Sequence, residues 1–206
     1  MQRSDGIADL VAICHRVYAR GMVGGSGGNV SIRSGDRVLI TPTGIRLGDV
    51  EEADVVALSA EGAAEGMGQP SKEWRMHLAC YRRADVNAVI HVHSAYSVAA
   101  ATLADLDLDC ALPVYTPGYA VRVGRLPAVP YLRPGSAELA ETVAEVIARR
   151  DSVLLANHGV LAAAGTLTAA LNLIEEIEEN AHLHFTLGGW GRPLTEAQQR
   201  DLVGKY

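Results

Sequence analysis

Apolar positions along this chain follow a helical spacing in some stretches and a strand-like spacing in others. From about Asp5 to Arg20 they fall at Ile7, Leu10, Val11, Cys14, Val17 and Tyr18, one face of a helix for which Ser4 offers a cap and Gly21 a stop. Val30-Ser31-Ile32-Arg33 and Val38-Leu39-Ile40-Thr41, joined through Ser34-Gly35-Asp36, read as a hairpin, and Val55-Val56-Ala57-Leu58 as a further strand before a turn at Ala60-Glu61-Gly62. Ser71 is placed to cap a helix reaching about Arg83. The β-branched run Ala88-Val89-Ile90-His91-Val92-His93 reads as a buried strand, with a short helix from Ser94 to Leu103 after it. The stretch 105–135 carries five prolines and reads as loop and short strand. Ser136 caps a helix to Arg149. A strand Ser152–His158 follows, turned by Gly159, and then a long helix from about Thr168 to Leu187.

No repeat or low-complexity linker interrupts this order, so the reading is one α/β domain over 1–206, a mixed sheet covered by helices, with a C-terminal tail from about 190. A chain of 206 residues buries a substantial core, and with aromatics at 5% that core is built from alanine, valine and leucine. A formal net charge of -6 without a Lys/Arg run argues against a nucleic-acid or anionic-membrane partner. No apolar stretch reaches membrane-spanning length, and the first residues lack signal-peptide architecture. Cys14, Cys80 and Cys110 have no metal or redox spacing and suit a reducing cytoplasm.

The chemistry concentrates at His91-Val92-His93. Side chains two apart on a strand project from one face, so both imidazoles can meet one metal ion. His158 ends a second strand-like run, and Glu73 supplies a carboxylate. Three histidines with a carboxylate form the ligand set of a catalytic transition metal, zinc being the usual occupant and manganese or cobalt also accepted. The bland alternative is a set of ordinary core or surface histidines. His182 and His184 share the spacing of two, but on a predicted helix, which points them apart. His77, one turn after Glu73, is read as packing beneath the site.

Three segments are suited to an anion. Gly24-Gly25-Ser26-Gly27-Gly28-Asn29 lets backbone N–H groups approach closely, but no Gly-Lys-Ser/Thr follows it and a strand rather than a helix comes next, so it is neither a phosphate-binding Walker loop nor a dinucleotide fingerprint. Thr43-Gly44 lies in a loop. Ser71-Lys72-Glu73 lies at a predicted helix start, where N–H groups, the dipole and the Lys72 ammonium favour a phosphate. Each of these, taken singly, also reads as a plain turn or cap.

Gly27-Gly28-Asn29-Val30-Ser31, Thr41-Pro42-Thr43-Gly44, Pro70-Ser71-Lys72-Glu73-Trp74-Arg75-Met76-His77, His91-Val92-His93 and Asn157-His158-Gly159 occur in the order seen in the class II aldolase/adducin head-domain family, which the chain resembles from about residue 5 to 190. The resemblance implies a single-domain three-layer α/β/α fold with a central mixed, largely antiparallel sheet. It implies a Zn2+-dependent cytoplasmic enzyme, typically a homotetramer with active sites at subunit interfaces, acting on a small phosphorylated sugar or sugar acid. It places the metal on Glu73, His91, His93 and His158, the phosphate on Gly28, Asn29, Thr43, Gly44, Ser71 and Lys72, and acid/base catalysis on Glu73. Tyr119 and Tyr206 are the candidates for a tyrosine near an aldehyde. The favoured reaction is aldol cleavage of a fuculose-1-phosphate-like ketose through an enediolate. The alternative is decarboxylation of a 3-oxo-tetronate 4-phosphate, towards which Lys72 and the segment Leu112–Tyr119 lean. A sugar-phosphate 4-epimerase, which usually carries Asp in place of Glu73, and a non-catalytic adducin-like interaction domain fit less well.

Overall fold

The computed structural model describes residues 3–202. Eight strands form one sheet in the order β4-β3-β2-β1-β5-β8-β7-β6. They are β1 (Asn29–Ser34), β2 (Arg37–Ile40), β3 (Val56–Leu58), β4 (Ala64–Glu65), β5 (Ala88–Val92), β6 (Ala128–Val129), β7 (Ser152–Leu155) and β8 (Gly159–Ala164). Every neighbouring pair is antiparallel except β6 with β7. The expected mixed, largely antiparallel sheet is therefore present.

Among the described residues seven α-helices surround it: α1 (Arg3–Ala19), α2 (Trp74–Cys80), α3 (Ala95–Ala101), α4 (Pro117–Arg122), α5 (Ala137–Ile147), α6 (Leu167–Leu187) and α7 (Glu196–Leu202). The strands divide their side chains between two cores, because alternate residues face opposite ways. Ala88, Ile90 and Val92 of β5 and Val160, Ala162 and Ala164 of β8 join the core shared with α1, α4 and α6. Val89 of β5 and Leu161 and Ala163 of β8 join the core under α2 and α5. This gives three layers, and it puts His91 on the α2 side of the sheet.

Several sequence expectations are corrected. Ser4 lies within α1 rather than before it. α2 starts at Trp74 and ends at Cys80, shorter than the helix expected from Ser71 to Arg83, and the residue flanking its start is Glu73. The prolines of 105–135 do not exclude a helix: Pro117 takes the first position of α4, where a missing N–H costs no hydrogen bond, and the Thr116 side chain accepts from the Tyr119 N–H. The strand read as Ser152–His158 stops at Leu155. Its three last residues form a hairpin turn, and Gly159 begins β8, which sequence reading missed. The stretch beyond 190 carries α7. Ser136 and the α5 it caps are as expected, the serine side chain accepting from the Leu139 N–H.

Candidate active site

β5 delivers His91 with its ring fully buried, and His93 follows at the strand end, half-buried. Their Nε2 atoms face each other at 2.9 Å, as the strand period demands. His158 arrives from the β7–β8 turn. Asn157, at φ 56°, takes the left-handed conformation that Asn tolerates better than most residues, and its N–H donates to the Ala101 carbonyl at 2.8 Å. The turn thus places His158 Nε2 3.3 Å from His91 Nε2. Gly159 is required by close approach: a Cβ there would lie 2.3 Å from the Val92 carbonyl oxygen and 3.1 Å from the His93 ring. Glu73, at the start of α2, puts Oε2 3.3 Å from His91 Nε2 and Oε1 3.4 Å from His158 Nε2.

These four side chains fit a metal ion. All four ligand atoms lie within 4.8 Å of one another. Donors held ~2.1 Å from a tetrahedral ion sit roughly 3.4 Å apart, close to the spacings found. His91 Nδ1 lies 3.0 Å from the Val160 carbonyl, which forces its proton onto Nδ1 and leaves Nε2 a bare lone pair. Three imidazole nitrogens and a carboxylate converging on one point cannot all satisfy one another by hydrogen bonds. Glu73 Oε1 is in fact buried without a hydrogen-bond partner.

The electrostatics agree. His93 and His158 are pushed down to about 4, first by burial and then by the neighbouring imidazole of His91, so both rings are neutral at neutral pH and free to act as donors. Burial raises the Glu73 carboxyl, but the facing His91 ring, the hydrogen bond from Asn29 and the His158 ring outweigh it. Together they hold the carboxyl well below the usual carboxylate range. His77, fully enclosed beneath the site, is pushed down to about 3 by burial.

These depressed values bear on stability. As pH falls below the ordinary histidine value of 6.5, the unfolded chain takes up protons before the folded one does. The stability carried by the neutral rings is therefore complete above that value and declines through the interval down to about 4 for His93 and His158 and about 3 for His77. The unfolding free energy of the metal-free protein, from denaturant titrations between about pH 7 and about pH 4.5, is expected to decline by up to roughly 1.4 kcal/mol per pH unit for each ring that stays neutral. A free energy that stays level across that range would contradict the burial of neutral imidazoles.

The expected phosphate residues fall into two groups. The loop at Thr41–Thr43 pairs with Gln69–Ser71: the Thr43 N–H donates to the Gln69 carbonyl and the Ser71 N–H to the Thr41 carbonyl, both at 3.0 Å. Thr43 and Gly44 are exposed beside buried Ser71 and exposed Lys72. Ser71 is not the α2 cap. Its Oγ accepts from the Glu73 N–H at 3.3 Å and so helps to aim the carboxylate. Gly28 abuts the His91 backbone, since a Cβ at its φ of +73° would lie 3.0 Å from the His91 carbonyl. Asn29 sits opposite His91 in the β1–β5 register, and its amide is engaged with Glu73 at 3.0 Å.

The tyrosine candidates fare differently. Tyr119 is fully enclosed in the core, with a hydroxyl that has no hydrogen-bond partner and is pushed up by burial. So placed, it is part of the core shared with α1 and α6. Tyr206 lies outside the described residues. His182 and His184 diverge as expected, His182 stacking on Tyr96 at 4.2 Å between ring centroids and His184 Nδ1 meeting the Tyr115 hydroxyl at 3.0 Å.

Sequence reasoning missed Arg75 and Arg133. With Lys72 they line a pocket of about 540 Å³ at the start of α5. Arg75 lies over the Trp74 ring at 4.4 Å, and none of the three cations has a carboxylate partner among the described residues. Arg133 is 61 residues from Lys72, and no local pattern signals their meeting.

Comparison with known proteins agrees with this geometry. A 3-oxo-tetronate 4-phosphate decarboxylase of Haemophilus influenzae is 40% identical over 199 residues, covering 95% of each chain. An L-fuculose phosphate aldolase of Methanococcus maripaludis is 39% identical over 182 residues, covering 88% of this chain and 97% of that one. The crystal structure of YgbL from Klebsiella pneumoniae superposes with a TM-score of 0.93 at 35% identity, covering 98% of this chain and 99% of that one. The profile of the class II aldolase and adducin N-terminal domain matches residues 8–185, and with these relatives it shows that the chain belongs to that family.

Proposed function

We propose that this chain is a divalent-metal-dependent carbon–carbon lyase acting on a small phosphorylated sugar derivative, with zinc as the ion. The observation that carries this reading is the convergence of Glu73 on three buried or half-buried histidines. A divalent cation held by His91, His93 and His158 supplies Lewis acidity towards a carbonyl and the hydroxyl beside it. Glu73, held ionised and partly enclosed, moves the proton at carbon. The Lys72 ammonium, the Ser71 hydroxyl and the backbone at Gly28, Thr43 and Gly44 hold the phosphate, with Asn29 oriented between them and Glu73.

The reaction favoured is loss of carbon dioxide from a 3-oxo-tetronate 4-phosphate. Its C1–C2 bond breaks, the electron pair stays at C2 and C3, and protonation at C2 gives dihydroxyacetone phosphate. Such a substrate carries a carboxylate as well as a phosphate, and the unpaired Lys72, Arg75 and Arg133 supply positive charge for more than one anionic group. The identity to the decarboxylase of H. influenzae supports the same choice. Aldol cleavage is the second reading, supported by the identity to the M. maripaludis aldolase. It reaches the same enediolate, so proton exchange on dihydroxyacetone phosphate separates the two reactions poorly.

Metal-loaded protein is expected to release carbon dioxide from one or more stereoisomers of 3-oxo-tetronate 4-phosphate. Arg133→Met is expected to lower kcat/KM about 10–100-fold, the worth of one charge-assisted hydrogen bond. Absence of carbon dioxide release, with exchange at C3 of dihydroxyacetone phosphate intact in D₂O, would transfer the assignment to the aldolase.

A homotetramer with active sites at subunit interfaces belongs to the same reading. A cytoplasmic setting is supported by three free cysteines, two of them buried. Among the described residues no helix is long and apolar enough to cross a membrane.

A further inference from the structure

Beneath Glu73 runs a buried chain of hydrogen bonds that the chemistry above does not use. The Tyr81 hydroxyl lies 2.7 Å from Ser31 Oγ, and Ser31 Oγ lies 2.6 Å from His77 Nδ1. His77 Nε2 lies 2.5 Å from Asn29 Oδ1, and Asn29 Nδ2 lies 3.0 Å from Glu73 Oε2. All five side chains are buried, and His77 and Ser31 are wholly so.

Two periodicities build it. Glu73, His77 and Tyr81 are spaced by four and stack along one face of α2 and its flanking residues. Asn29 and Ser31 are spaced by two and face them from β1.

The donors point one way only. An ionised Glu73 accepts but does not donate, so Asn29 must offer it the NH₂ group. The Asn29 carbonyl then faces His77, whose Nε2 must carry the proton. The neutral ring leaves Nδ1 bare, so Ser31 donates to it and in turn accepts from Tyr81. Reversing any link leaves two donors or two acceptors face to face in a site closed to water.

We propose that His77 is a positioning residue for Glu73, acting through Asn29: its Nε2–H locks the Asn29 amide, and that amide locks the carboxylate between His91 and His158. One of the two Asn29 N–H groups is thereby committed to Glu73, and the other is left for a substrate. The inference rests on the reading of Glu73 as metal cap and proton carrier.

The test uses Co²⁺-loaded full-length protein, whose visible absorption reports which groups surround the ion. His77→Phe keeps the volume of a ring and removes both nitrogens. Its spectrum is expected to move towards that of Glu73→Gln, and its kcat to fall about 10–100-fold with KM little changed, the usual cost of removing a partner behind a metal ligand. His77→Gln, which restores one donor and one acceptor, is expected to recover much of both. Should His77→Phe not fold, Ser31→Ala removes the donor that holds the ring's tautomer, with the same expectation in smaller measure. A wild-type spectrum in folded, Co²⁺-loaded His77→Phe or Ser31→Ala overturns the role of His77 and leaves the metal centre standing. Failure of the wild-type protein to bind Co²⁺ overturns both.

Discussion

His93→Ala is expected to lose its bound metal and at least about 10³-fold in lyase turnover, while keeping its fold. The ring lies at the exit of β5, half-buried, and contributes one of three Nε2 atoms that converge on a point. Removing it leaves two imidazoles and Glu73, a set that holds an ion only while Glu73 stays on it; with Glu73 withdrawn to move a proton, two imidazoles remain, too few to keep the ion. Without the ion the charge that develops on a substrate carbonyl has no counter-charge nearby, and stabilisation of that kind is typically worth several kcal/mol. Metal content by elemental analysis after dialysis reads the first effect, and turnover at saturating metal reads the second. Undiminished metal in a folded His93→Ala protein would sink the ligand assignment outright.

Glu73→Gln separates proton transfer from metal binding. Glutamine matches glutamate in size and still presents an oxygen towards His91 or His158, so the three histidines are expected to retain the ion at reduced affinity. The neutral amide neither carries nor removes a proton at carbon. The expected loss is about 10²–10⁴-fold in kcat, the usual contribution of a placed acid/base group. KM is expected to change little, because the interaction removed is made in the transition state. A variant that keeps its metal and more than about a tenth of its turnover would assign the proton to another group. His93→Ala and Glu73→Gln thus fail differently, one for want of the ion and the other with the ion in place.

Much of this centre is legible one segment at a time. The period of two puts His91 and His93 together without knowledge of the rest of the chain, because strand geometry is local. The apolar run of β5 and the cap at Ser136 are local in the same sense, since they depend on neighbours within a few residues. Local signals misled where several structures satisfy the same pattern. The run Ser152–His158 is apolar throughout and could not show that its last three residues turn. The run Val160-Leu161-Ala162-Ala163-Ala164 after Gly159, given no element in the sequence reading, forms β8 with Gly159, which sits between β5 and β7 with both faces covered. A strand buried on two faces loses the alternation by which it would be recognised. Pro117 was read as a breaker, although the first turn of a helix accepts it.

The residue types and spacings determined that the chain carries a two-face strand with paired histidines, a third histidine before a glycine, and a carboxylate beside a lysine. The meeting of those groups came from the sheet order, which sets β5 between β1 and β8 and so brings Asn29, His91 and the β7–β8 turn together across 129 residues of sequence. The same packing enclosed Tyr119, which by sequence alone was as good a catalytic tyrosine as any other, and it gathered Arg75 and Arg133 around Lys72. Strand and helix periods act between near neighbours and are written in the chain. Which strands pair, and which side chains are shut away from water, depends on burying two apolar faces at once, a condition only the whole fold imposes.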